Sequence, residues 1–150
     1  MSANGRKIVV GVDGSEHSDR ALAWAIEEAK LREARLQVVS VWHVPALVYG
    51  APGFTPPIGP DVGKAFRDVA SETATAAAQT ARDGGVEADV EVDQGQTVDK
   101  LLEAAEGADM LVVGSRGHGG FSGLMLGSVS AQCAHHAPCP IVIVRPRAGD

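Results

Sequence analysis

Three short runs in this chain are apolar at every position: residues 8–12 (IVVGV), 110–113 (MLVV) and 141–144 (IVIV). A strand with one wet face alternates apolar and polar residues. A run that is apolar throughout reads instead as a strand covered on both sides, as in a parallel sheet with helices above and below. Between these runs the apolar period changes to that of a helix. Leu22, Ala25, Ile26 and Ala29 form one stripe, which predicts a helix over 16–34, capped by Ser15 after an Asp13-Gly14 turn. Val62, Ala65, Phe66, Val69, Ala70 and Ala77 form a second stripe over 62–83, stopped by Gly84-Gly85. Thr97 is placed to cap a third helix through Val98, Leu101, Leu102 and Ala105, and a fourth runs from near Gly127 to before Pro138. Residues 36–41 add a second strand. In the third, Val86, Ala88, Val90 and Val92 alternate with Glu87, Asp89, Glu91 and Asp93, which predicts a sheet edge. Strand and helix thus alternate along the whole length. The expected fold class is α/β: one doubly wound, five-stranded parallel sheet with helices on both faces.

The junction between the fourth strand and fourth helix is rich in glycine: Gly114, Gly117, Gly119, Gly120 and Gly123, then a second corner at Gly127-Ser128. Glycine lets the backbone approach a ligand closely, and a helix start offers unpaired N–H groups with positive potential. Arg116 adds a cation in the same loop. Together these point to a phosphate cradle. The chain has no G-x-x-x-x-G-K-[ST], so no Walker-type lysine reaches a γ-phosphate, and its first strand-to-helix turn is not G-x-G-x-x-G.

The spacing Gly114-x2-Gly117-x9-Gly127-Ser128, the opening stretch IVVGVDGS at 8–15 and the closing strand PIVIV at 140–144 resemble the universal stress protein family, specifically its ATP-binding branch. The resemblance spans residues 1–150 as one domain. It implies an adenine nucleotide alpha hydrolase-like sheet of order 3-2-1-4-5, with ligands above the carboxyl ends of strands one and four, where the winding reverses. It further implies that Gly11, Asp13 and Val41 meet the nucleoside. Gly114, Ser115, Arg116, Gly117, Gly127, Ser128 and Val129 would hold the phosphates of ATP, accompanied by Mg2+, with His118 near a terminal phosphate. The implied role is a nucleotide-dependent sensor or regulator of the stress response, assembled as a homodimer through strand Ile141-Val144. A slow ATPase and a nucleotide-free interaction module of the same family are the alternatives.

Read from the residues alone, Asp13 equally suits an Asx-turn that shapes the bend, and Ser128 an ordinary helix cap. A valine at Gly127 is expected to block a phosphate while leaving the fold intact. The remaining sequence narrows the function. A net charge of −6 argues against a nucleic-acid or membrane-surface binder. No apolar run approaches the roughly 20 residues of a membrane span, and the amino-terminal stretch lacks a signal-peptide core. Cys133 and Cys139 have no metal-type spacing and fit a reducing cytoplasm. His17, His43, His135 and His136 form no ligand set, and Trp24 and Trp42 read as packing residues.

Overall fold

The computed structural model describes residues 5–45, 61–116 and 126–147. In chain order it holds strand β1 (Lys7–Gly11), helix α1 (Glu16–Arg32), β2 (Arg35–Trp42), α2 (Val62–Asp83), β3 (Ala88–Gln94), α3 (Thr97–Ala105), β4 (Met110–Gly114), α4 (Ser128–His136) and β5 (Ile141–Val144). All five strands pair in parallel, in the order β3-β2-β1-β4-β5.

The all-apolar runs are apolar because the sheet has a core on each side. Even-numbered positions such as Ile8, Val10, Leu36, Val38, Met110 and Val112 meet the alanine-rich faces of α1 and α2. Odd-numbered positions such as Val9, Val39, Leu111 and Val113 meet Leu101 and Ala105 of α3 and Cys133 of α4. Ile8, Val9 and Val10 on the central strand are wholly buried. Each such side chain is worth about 1.5–3 kcal/mol relative to exposure. Burial pushes the Cys133 thiol up to about 11, so it acts as a small hydrophobe.

Helix α1 begins as expected, with the Ser15 hydroxyl accepting from the Ser18 amide at 3.2 Å. It ends two residues short of the expected limit, because Glu33 turns left-handed at φ 54° and the chain enters β2 at once. The bounds of α2 match expectation, and of its expected stripe only Ala70 and Ala77 are buried. Ala70, Ala74, Ala77, Ala78 and Ala81 face the sheet, whereas Val69 is 63% exposed and Ala65 is exposed too. Only the second half of the helix is seated on the sheet, and there alanine permits close approach. Strand β3 starts at Ala88 rather than Val86, and the cap of α3 is Gln96 rather than Thr97, which lies inside the helix. Trp24 packs against the first core, as expected of a packing residue.

Candidate functional site

From β1 the chain winds outward through β2 to β3, then crosses back to β4 on the other side of β1 and ends at β5. The winding therefore reverses between β1 and β4, and their carboxyl ends flank a crevice of the type that receives ligands in open α/β sheets. Gly11 and Asp13 lie at the end of β1. Gly114, Ser115 and Arg116 lie at the end of β4, and Gly127, Ser128 and Val129 open α4. Val41 lies two residues beyond Val39, the β2 partner of Gly11, so it occupies the same end of the sheet. Gly117 and His118 lie outside the described residues, as do residues 46–60 of the proline-rich loop.

The glycines at the two strand ends are explained by packing. A Cβ on Gly114 would sit 2.7 Å from the carbonyl oxygen of His17, so this position admits the first turn of α1. A Cβ on Gly11 would sit 3.0 Å from Leu101 Cδ2 on the opposite face. Gly114 needs its missing side chain whether or not a ligand is bound, because its obstacle is backbone, whereas Gly11 faces the movable end of a side chain. Gly127 differs from its expected part as well. Its amide donates to the Ser115 carbonyl at 2.7 Å, and a Cβ there would press within 3.3 Å of Ser115 O and Arg116 Cα. A valine at Gly127 would thus require the junction of β4 with α4 to yield slightly, and the Gly127 amide is already engaged within the protein.

Asp13 serves the turn that the Asx reading anticipated. Its Oδ1 accepts from the Ser15 amide at 2.9 Å and the Ser15 hydroxyl at 2.5 Å. The Asp13 amide in turn donates to Ser18 Oγ at 3.3 Å. The two bonds from Ser15 fix the orientation of the carboxylate. Asp13 is exposed, while Ser15 and Ser18 beneath it are buried.

At the other wall the Ser115 amide is held by Val144 O at 3.0 Å. Helix α4 starts at Gly127 with no side-chain cap, and no described residue accepts from the Ser128 or Val129 amides. Those first-turn donors are what a helix start offers an anion. The Ser115 hydroxyl, on a residue 1% exposed, and His17 Nδ1 are buried polar atoms without a hydrogen-bond partner among the described residues. Orphaned atoms of this kind normally meet water or a ligand. Sequence reasoning passed over Ser18 and Ser130, and considered His17 only as a member of a ligand set. Ser18 alone carried a signal, lying three residues past the N-cap serine.

Among the described residues no cluster of three His, Cys, Asp or Glu could hold a metal ion, and no helix is long and apolar enough to cross a membrane. His135 and His136 are exposed on the last turn of α4. A groove of about 520 Å³ opens at the opposite end of the sheet, lined by Arg35, Arg82 and Asp89 among others. Its arginines are already engaged, Arg82 with Ala88 O at 2.8 Å and Arg35 with Asp89, so it offers no comparable anion site.

Known proteins share this fold. The chain is 36% identical over 143 residues to a universal stress protein of Mycolicibacterium smegmatis, spanning 93% of this chain and 46% of that relative. It thus spans about half the length of that protein. A universal stress protein of Thermus aquaticus is 35% identical over 142 residues, covering 93% of this chain and 98% of the relative. Among solved structures, a universal stress protein in complex with cAMP superposes with a TM-score of 0.67 at 28% identity, covering 94% of this chain and 97% of that one. One from Archaeoglobus fulgidus in complex with dAMP does so with a TM-score of 0.64 at 25% identity, covering 92% and 96%. The Universal stress protein family model matches residues 5–145, and with the sheet order and the crevice between β1 and β4 this places the chain in the universal stress protein family.

Proposed function

We propose that the chain acts as one domain that binds an adenine nucleotide, ATP with Mg2+, in the crevice between β1 and β4. The bound nucleotide biases what the protein associates with in the cytoplasm, as a regulator of the stress response. The observation that carries this reading is the start of α4, which no described side chain caps and which lies beside Arg116 at the end of β4. The relatives solved with cAMP and dAMP support adenine as the base. In this reading the Ser128 and Val129 amides, the Ser128 hydroxyl and Arg116 hold phosphate oxygens, with Gly117 and His118 alongside. Asp13 accepts from ribose hydroxyls, and the backbone near Val41 reads the adenine edge. Mg2+ would be brought on the phosphates of ATP, as is usual for nucleotide sites. Regulation is favoured over turnover because efficient phosphoryl transfer needs a positioned base and a metal-holding carboxylate beside the cationic clamp.

The test is direct. Protein purified without added nucleotide and then denatured releases an adenine nucleotide, identified by mass spectrometry, or takes one up in calorimetric titration. A preparation that does neither overturns the reading. Any ATP hydrolysis belongs to this site only where Arg116→Ala abolishes it.

A further inference from the structure

The start of α4 is tied to the end of β4 by a buried hydroxyl as well as by its backbone. Ser130 is 2% exposed, and its Oγ donates to the Ser115 carbonyl at 2.8 Å while lying 3.1 Å from the Gly127 carbonyl. The contact with Gly127 is the local i to i−3 bond that serines make in many helices, and it carries no inference by itself. The contact with Ser115 crosses 15 residues and joins the helix to the end of β4. The same Ser115 carbonyl takes the Gly127 amide at 2.7 Å, and the Ser115 amide is anchored to Val144 O of β5 at 3.0 Å. The first turn of α4 is thereby tied to the two strands of that half of the sheet.

We propose that Ser130 is a positioning residue: it touches no ligand, but it fixes the Ser128 and Val129 amides where a phosphate will meet them. This rests on the nucleotide reading above and adds to it the source of the preorganisation. Donors already fixed in the bound geometry lose less freedom when a ligand arrives. Without the hydroxyl, only the Gly127 amide on Ser115 O joins the first turn of this nine-residue helix to the end of β4, and the turn frays more readily. The effect is confined to the phosphate end, because the nucleoside half of the site stands on β1 and β2.

Ser130→Ala isolates the tie without orphaning a carbonyl. Ser115 O keeps the Gly127 amide at 2.7 Å, and Gly127 O keeps the Ala131 amide at 3.0 Å, so the variant folds. Titration calorimetry on wild type and variant compares ATP with adenosine. The expected result is ATP binding weakened about tenfold, the scale of one hydrogen bond, with adenosine binding unchanged. In amide-resolved NMR, the ATP-induced shifts of Ser128 and Val129 seen in the wild type are reduced in the variant. Equal ATP affinity in the two proteins overturns the positioning role and leaves the nucleotide reading standing. A parallel loss of ATP and adenosine overturns it as well, since that marks a general loss of order. Wild-type protein that binds neither ligand removes the nucleotide reading, and the positioning role with it.

Discussion

At Gly114 a single missing side chain decides how closely α1 can approach the sheet. The obstacle is backbone, the His17 carbonyl oxygen at 2.7 Å and its carbon at 2.8 Å, so no rotamer change relieves it. Gly114→Ala is therefore predicted to destabilise the fold by about 1–3 kcal/mol, the range for overpacking a well-filled interior. The measurement is the denaturant midpoint of the ligand-free protein. A midpoint equal to that of wild type would mean that the glycine is needed only for a ligand. Gly11 offers a contrast, because its obstacle is the flexible end of Leu101, at 3.0 Å and 3.3 Å, which can yield. Gly11→Ala is predicted to lower the midpoint less than Gly114→Ala does.

Among the elements, β3 is the one whose exposed face couples stability to pH. Glu91 and Asp93 project from the same side of this edge strand, and Gln37 of β2 donates to Glu91. The hydrogen bond with Asp93, partial burial and the Asp93 charge push the Glu91 carboxyl from 4.5 up to about 7, outweighing Gln37 and Lys7, which act the other way. Arg35 of β2 and Asp89 complete the charged set on this face, paired with each other. A carboxyl whose folded pKa is raised holds its proton more tightly in the native state, so the native state binds more protons than the unfolded chain between the two values. Stability is thus predicted to be greatest below 4.5 as far as this group is concerned, and to fall as pH rises toward about 7. Glu91→Gln should flatten that part of the stability profile, measured by urea unfolding at a series of pH values. An unchanged slope in the variant would show that the pair does not share a proton.

For the molecule as a whole, the two edges of the sheet are handled differently. The β3 edge carries Asp89, Glu91 and Asp93, charges that discourage pairing with another strand. The β5 edge is IVIV, each residue half-buried, with Val142 and Val144 packed on the first core and Ile141 and Ile143 on the second. An apolar edge with open backbone groups favours a second copy, and a symmetric dimer would bury the same patch on both partners. Sedimentation at micromolar concentration is predicted to show a dimer. A monomer there would overturn the expected dimer through β5.

Periodicity and spacing determined a great deal unaided. The all-apolar runs demanded a sheet covered on both sides, and the helices between them demanded parallel strands. Gly127-Ser128 after the fourth strand marked a helix start at the end of the sheet where the winding reverses. These features are local, so they can be read from neighbouring residues. Strand order entered through resemblance to a family, because periodicity does not record which strands lie side by side. Contacts between distant residues were decided only in the folded chain. Gly114 is glycine because His17 lies against it, Asp13 is oriented by Ser15, and Ser130 reaches Ser115 across 15 residues. The α2 stripe shows the same limit, since alanines rather than Val69 became buried once the helix was seated on the sheet over its second half only. Hydrophobic period says which residues can be inside, and the meeting of elements far apart in the chain says which of them are.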